Sequence, residues 1–482
     1  MLAVLRFDSS PEIGAGHAAR CRALAAVLSR YGWDVIAARQ ASLNDDPDAI
    51  GLSGGAGDEA ATLAERVPSG CDLLIVDHYG RAVEFERACR PWAKRILAID
   101  DLPDRRHEVD FLLDPAPGRA VKNRHTPAAG TETFFGPAYA PLRQRFLRHR
   151  HSRDAGAPAP LAKIFVGFGG SDPTGLTART LTALHVLGTS EQVVAVLGPQ
   201  AKSQDVRRIA AANDSISLLT DPPDIAATMS ECQIAIGAGG VSALERCVLG
   251  LPSVAIVAAE NQRETVEALA EAGAAVAMDD PGENDYVAVL ERCLVTLRER
   301  RDSIAASALS VCDGVGAVRV AAAVGAPDLR QGGRLKFRPV TADDAEALLR
   351  WQRLPLIRRF SRNPVPPTPA EHEAWLARTL GDPARIFEIA SCNGVPAGVL
   401  RLDRKALDGN LDRYEISIYV LPEFQGRGVG KAMLAFARCA LPWGEFVAQV
   451  LPGNEASHRL FSACGYRNKD GIYIQKPTKE AA

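Results

Sequence analysis

The sequence predicts an α/β protein: two parallel-sheet domains in series, followed by an α+β domain. Three observations carry that prediction. Short apolar runs rich in β-branched residues alternate with helix-forming Ala/Leu/Arg/Glu segments through the first two-thirds of the chain. The alternation is interrupted at "HRHSRDAGAPAP" (149–160), charged and then Gly/Ala/Pro-rich, and restarts beyond it. From Arg334 onward the texture changes to strand–turn–strand. A chain of 482 residues exceeds one core, and at about 150 residues per domain it fits three: 1–150, 158–325 and 334–482.

In the first region "LAVLRF", "DLLIVDHY", "RILAIDD" and "DFLLDP" read as buried strands that end in polar residues. Between the first two lies "HAARCRALAAVLSRYG", a helix ending at Gly32. Strand–helix alternation implies a parallel sheet covered on both faces, with ligands bound at the carboxyl ends of the strands. The polar residues gather at those ends. The second region repeats the pattern in "LAKIFVGFGG", "QVVAVLG", "SISLLT", "CQIAIGAGG" and "PSVAIVA". It tapers off near Pro327, Gly332 and Gly333, a second linker. In the third region "GRLKFRPVTADDAEALLRWQ" is a strand and then a helix capped by Thr341 or Asp343. "FEIASCNGVPAGVLRLD" is a hairpin around Asn393-Gly394, and the stretch from Arg413 to Leu441 reads as strand, glycine loop, helix.

Composition narrows the function classes. The chain is 47% apolar and 24% charged with a formal charge of −2, so no global basic field points to nucleic acid or to an anionic membrane. The first ten residues, from Met1 to Ser10, lack the layout of a secretory signal, and no apolar run is expected to reach the roughly 18 residues of a membrane span. Ten cysteines lie scattered without a C-x-x-C pair, which reads as buried free thiols in a reducing cytoplasm. No His, Cys or acidic cluster has zinc spacing, and no metal is expected.

Two glycine loops open the chemistry. "QGRGVG" (Gln425, Gly426, Arg427, Gly428, Val429, Gly430) follows a strand ending at Val420 and opens a helix. Successive N–H groups at a helix start form an anion site, and glycines let the backbone approach a pyrophosphate. It is not a Walker A loop, because Gln425 stands where that motif needs Gly. "NEASHRLFSACGY" begins with Asn454 and continues as a helix with a Leu-Phe pair. In this order and spacing the two stretches resemble the GNAT N-acetyltransferase superfamily. The resemblance implies acetyl-CoA as co-substrate, its pyrophosphate on the amides of Gln425 to Gly430 and Asn454 near the pantetheine arm. Glu415, in the strand before the loop, stands where such enzymes keep a base to strip a proton from the acceptor ammonium. Phe461 departs from the pattern, since many relatives carry there a Tyr that protonates the leaving thiolate. Tyr466, in a Gly-Tyr that usually packs, is the weaker alternative acid.

The second loop is "GAGGVSALE", where a strand gives way to a helix at Val241-Ser242. Gly239, Gly240, Ser242 and the free amides suit a diphosphate. Glu245, one turn in, suits ribose hydroxyls, and Asn261 and Gln262 follow the next strand. This layout resembles the nucleotide half of GT-B enzymes that use UDP-sugars. Three more stretches extend the likeness: Asp8 to Arg20, which ends in "EIGAGHAAR", then "VDHYG" and "GFGGSDPTGLT". With them, the first 325 residues resemble the UDP-sugar hydrolase family of pseudaminic acid biosynthesis, whose substrate is UDP-2,4-diacetamido-2,4,6-trideoxy-β-L-altropyranose. The expected fold is then a GT-B-like pair of Rossmann-type domains followed by a GNAT domain. The resemblance implies His17 as the base that activates water at C1. It places Asp8, Gly14, Gly16, Asp77 and Tyr79 on the sugar side, with Asp8 also able to orient the imidazole. Gly169, Gly170 and Ser171 join the UDP side. UDP-amino-sugars are the partners so implied, acetylated by the C-terminal domain and cleaved by the N-terminal region. Two alternatives stay open: a GT-B glycosyltransferase with an acceptor, and a GNAT domain that acts on another amine or only senses acetyl-CoA.

Overall fold

A computed structural model describes the chain except residues 11–12, 44–45, 103–104, 119–124, 153–162, 199–200, 202, 281, 283, 406–411 and 479–482. Most of the 149–160 linker therefore lies outside the described residues. The chain divides into two compact units, Met1–Ala317 and Val318–Ala482.

The first unit holds two parallel sheets. Strands β1 (Leu2–Phe7), β2 (Asp34–Gln40), β3 (Ile50–Leu52), β4 (Leu73–Asp77), β5 (Ile96–Ile99), β6 (Phe111–Asp114) and β7 (Glu132–Phe135) are ordered β3-β2-β1-β4-β5-β6-β7. Strands β8 (Lys163–Gly167), β9 (Gln192–Leu197), β10 (Ile216–Thr220), β11 (Ile234–Ala238), β12 (Ser253–Val257) and β13 (Val276–Asp279) are ordered β10-β9-β8-β11-β12-β13. Both are Rossmann-type orders that reverse direction beside the first strand, so each sheet opens a crevice at the carboxyl ends of its central pair. In the first sheet that pair is β1 and β4, with Phe7 level with Asp77. The β-branched and leucine-rich runs become strands because both faces are covered: Val4, Leu74 and Ile96 are fully buried, as are Ile164, Ile236 and Val254.

The second unit carries β14 (Leu335–Pro339), β15 (Arg385–Cys392), β16 (Val395–Lys405), β17 (Arg413–Val420), β18 (Glu445–Gln449), β19 (Arg467–Lys469) and β20 (Ile472–Gln475), ordered β14-β15-β16-β17-β18-β20-β19. Its ladders are antiparallel except for β17 with β18. Asn393 and Gly394 form the β15–β16 turn with φ of 51° and 79°, the left-handed pair a two-residue hairpin needs. Thr341 caps a short 3-10 turn in a capping box with Asp344, and the helix Ala345–Gln352 starts after it. Asp343 is not the cap.

The cysteines are all free and nine are buried. One stretch among the described residues, Arg301–Gly325, is long and on average apolar enough to cross a bilayer, but Asp313 and Arg319 interrupt it and 78% of its most apolar window is buried in the protein, as in a core helix.

Candidate active sites

The helix Gly16–Arg30 begins just beyond the carboxyl end of β1, after Gly14 turns the chain at φ 83°. His17 thereby lies over the end of β4, where its Nδ1 stands 2.5 Å from Asp77 Oδ1. Arg20, one helical turn on, shares that face. Its Nε and Nη2 donate to the two Asp77 oxygens at 3.0 and 2.8 Å, and its Nη1 donates to Asp101 Oδ2 at 2.7 Å. A carboxylate only accepts and a guanidinium only donates. Nδ1 also lies 2.9 Å from Arg20 Nη2, but its shorter contact with an oxygen of Asp77 that can only accept requires the hydrogen on Nδ1, and Nε2 is then the imidazole nitrogen left to act as a base. Tyr79 closes the cluster, its ring edge-on to His17 at 4.7 Å and its hydroxyl donating to Asp101 at 2.8 Å. Burial works against the Asp101 carboxylate, but Arg20 and the Tyr79 hydroxyl outweigh it and hold the acid at about 2. Burial and the Asp101 charge push the Tyr79 phenol above its ordinary value.

Two expected sugar ligands take other positions. Asp8 is fully buried, accepts from the Gln40 amide at 2.7 Å and pairs with Arg6 at 2.8 Å and His78 at 3.1 Å. It does not orient His17, and its oxygens are committed to the protein. Asp77 is also fully buried and holds His17 and Arg20 instead of facing a sugar. Among the expected sugar-side residues, Tyr79 alone keeps a substantially exposed side chain. Arg20 went unnoticed in the sequence, yet the spacing His17-x-x-Arg20 was the available signal.

The second half meets this cluster closely. A Cβ at Gly170 would lie 2.7 Å from that of Ala15, so only glycine lets the β8 loop (Gly169, Gly170, Ser171) approach the His17 loop. On the other side a Cβ at Gly16 would lie 3.7 Å from Val241. The Asn261 side chain lies close enough to the Tyr79 hydroxyl to favour its ionised form, against the larger effects of burial and Asp101. The loop after β11 holds Gly239 and Gly240, and the helix Val241–Val248 holds Ser242 and Glu245. Glu245 receives Arg143 at 2.7 and 3.2 Å, both bonds on Oε1. Gln262 is a brace: its Oε1 accepts from the Gly239 and Ala258 amides at 3.1 and 3.3 Å. Asn261 and Gln262 belong to a 3-10 turn beyond β12. Asp172 caps the next helix by accepting from Leu176 and Thr177, both at 2.9 Å.

In the C-terminal unit Gly426 and Gly428 have φ of 77° and 97°. Gly428 precedes the helix Val429–Ala440, whose first amides have no intrahelical acceptor. A Cβ at Gly430 would lie 2.9 Å from Leu460, in the helix Glu455–Ala463 that Asn454 caps through Ser457 at 3.2 Å. Strands β17 and β18 pair only across Arg413, Tyr414 and Glu415. Past Glu415 the pairing stops, so the β17 edge from Ile416 to Val420 has no strand paired to it on that side among the described residues. Gln425 donates from its side chain to the Val420 carbonyl at 3.3 Å, and the Arg427 guanidinium lies over Phe424.

Glu415 shares a strand face with Ser417 and Tyr419. Ser417 and Tyr419, though not Glu415 itself, line a cavity of about 440 Å³ with Arg358, His372, Trp375 and Arg401, which sequence reading did not find. Burial tends to raise the Glu415 carboxyl, but hydrogen bonds from Lys405, at 2.9 Å, and from Arg362 hold it below the ordinary glutamate value. Phe461 is buried, and the Tyr466 hydroxyl is buried with no hydrogen-bond partner among the described residues. Neither is placed to hand a proton to a ligand.

Comparison with known proteins divides the chain in the same way. Residues 334–467 match the acetyltransferase (GNAT) domain family, so the C-terminal unit contains a GNAT domain. The GNAT domain of S. lividans PAT shares 29% identity over 31% of this chain and 92% of its own, at a TM-score of 0.27. The UDP-2,4-diacetamido-2,4,6-trideoxy-β-L-altropyranose hydrolase of Campylobacter jejuni is 26% identical over 57% of this chain and 97% of its own length. A protein of Methanocaldococcus jannaschii is 23% identical over 95% of both chains. The chain is thus a fusion of a region homologous to a nucleotide-sugar hydrolase with a GNAT acetyltransferase domain.

Proposed function

We propose that the chain catalyses two consecutive steps on one UDP-sugar. The C-terminal domain transfers acetyl from acetyl-CoA to the amine of UDP-4-amino-4,6-dideoxy-N-acetyl-β-L-altrosamine. The N-terminal region then hydrolyses the resulting UDP-2,4-diacetamido-2,4,6-trideoxy-β-L-altropyranose to free sugar and UDP. The observation that carries the hydrolase half is the His17–Asp77 pair, seated where glycine loops of both Rossmann-type halves meet. Domain limits of 1–150, 158–325 and 334–482 belong to the same proposal.

In the acetylation, the amides of Gln425 to Gly430 take the pyrophosphate of acetyl-CoA, and the open β17 edge takes its arm. The amino-sugar enters the cavity beside Tyr419. Glu415 draws a proton from the ammonium, directly or through water, so the lone pair attacks the thioester carbonyl. In the hydrolysis, His17 Nε2 takes a proton from water, whose oxygen bonds to C1 with inversion. The C1–O bond breaks with its electron pair leaving on UDP. Asp77 fixes the imidazole tautomer and stabilises the imidazolium that forms. Gly169, Gly170, Ser171, Gly239, Gly240 and Ser242 receive the diphosphate, Glu245 the ribose, and Tyr79 with Asn261 the sugar.

The test is a time course of CoA and UDP release from the amino-sugar nucleotide and acetyl-CoA with no acceptor added. CoA appearing before UDP supports the two-step reading. CoA without UDP makes the N-terminal region a glycosyltransferase, and no CoA release leaves the GNAT domain acting on another amine or only sensing acetyl-CoA.

A further inference from the structure

The diphosphate loop has a charged residue behind it that the hydrolytic steps above do not use. Arg246 is fully buried, one turn beyond Ser242 in the helix Val241–Val248. Its Nη2 donates to the Ala238 carbonyl at 2.9 Å and its Nη1 to Ser242 Oγ at 3.3 Å. Its Nε has no hydrogen-bond partner, and among the described residues no carboxylate forms an ion pair with it. The adjacent Glu245 is turned to Arg143. Gly237 leaves the guanidinium its room, since a Cβ there would lie 2.8 Å from Nη1. Burial draws the guanidinium down to about 10, offset only in part by its neighbours, the Glu245 charge among them, so it stays protonated at neutral pH.

A buried cation without an anion is unfavourable, and natural cores that need only a filler use apolar side chains. Holding one carbonyl does not require a full charge. The position supplies a better reason. The guanidinium lies directly behind the loop Gly239–Ser242, and because Ser242 accepts from Arg246, the serine hydrogen is free to be donated elsewhere. We infer that Arg246 is a positioning residue for the leaving diphosphate, its missing counter-ion being the nucleoside diphosphate that binds in front of Ser242. This inference rests on the nucleotide site proposed above and adds to it the source of its anion preference.

The experiment measures uridine, UMP and UDP binding by calorimetry to the full chain and to its Arg246→Met and Arg246→Lys variants. Wild type is expected to bind UDP far more tightly than uridine. Arg246→Met, close to the same length and apolar, is expected to melt near the wild-type temperature. It should lose at least tenfold in UDP affinity and keep uridine within twofold. An equal loss for both ligands, or none for either, overturns the inference. If Arg246→Met does not fold, Arg246→Lys decides, because a compact ammonium cannot span both Ser242 and Ala238. A UDP-to-uridine affinity ratio reduced threefold or more then supports the inference, and an unchanged ratio overturns it. A wild-type protein with no preference for UDP over uridine refutes the nucleotide site itself, which is a different failure.

Discussion

Replacing Asp77 with Asn tests the imidazole's orientation with little change of shape. The carboxylate accepts from His17 Nδ1 on Oδ1, and from Arg20 on both oxygens at 2.8 and 3.0 Å. A carboxamide has one accepting oxygen. With its NH2 at the Oδ2 position it opposes Arg20 Nε. With its NH2 at the Oδ1 position it opposes Arg20 Nη2 and forces His17 Nδ1 to accept, which puts the hydrogen on Nε2. In that tautomer the imidazole cannot take a proton from water. Loss of the correct tautomer in the second orientation, or in the first of the negative charge that stabilises the imidazolium, costs up to about 10⁴-fold in rate, equivalent to about 5.5 kcal/mol of barrier. Folding suffers less, since Arg20 keeps Asp101 at 2.7 Å; about 1–3 kcal/mol is expected for the unsatisfied donor. The assay is steady-state UDP release from the acetylated UDP-sugar, with CoA release from the amino-sugar as the control in the same chain. A folded Asp77→Asn protein that retains a tenth or more of wild-type UDP release would refute this reasoning.

Two further outcomes follow from charge. His107 lies between Glu86 at 2.5 Å and Asp100 at 2.7 Å; burial opposes its charge, but these carboxylates raise it to about 9. A raised histidine stabilises the fold fully below its unfolded value of about 6.5, and the contribution fades as pH climbs through 9; its upper limit is about 3 kcal/mol. Urea midpoints from pH 6 to 9.5 should fall for the wild type and vary less for His107→Gln, and parallel curves would contradict this. Glu415→Gln should slow CoA release about 10- to 100-fold while UDP release from the pre-acetylated sugar stays unchanged. Equal acetylation rates would remove Glu415 from the base role.

The strands and glycine loops were legible in the sequence because their signals are local. Runs such as "LLIVD" and the pair Asn393-Gly394 specify strands and a turn whatever surrounds them. His17 was legible for the same reason, as a titratable group in a loop that usually holds small residues. Its setting was not. Asp77 is 60 residues away, and Asp8 occupies the equivalent end of the neighbouring strand, so adjacency in sequence favoured the wrong carboxylate. Register decides between them: Asp77 ends β4 under the helix that carries His17, whereas Asp8 turns to Arg6, His78 and the Gln40 amide. Gln262 and Asn454 have polar side chains that serve a ligand or a backbone equally well, and in the fold both are bound to backbone amides. The C-terminal cavity left no local signal because residues from helices and two strands, Arg358 to Tyr419, line it together.

The central claim is that the N-terminal region transfers a sugar to water at C1, and isotope-labelled water tests it most directly. The full chain is given the acetylated UDP-sugar in H₂¹⁸O without an acceptor, beside His17→Ala, and both products are read by mass spectrometry. The account predicts one ¹⁸O in the free sugar, none in UDP, and almost no product from the variant. Label in UDP would place the attack at phosphorus, and no turnover without an acceptor would make the region a transferase; either result contradicts the account.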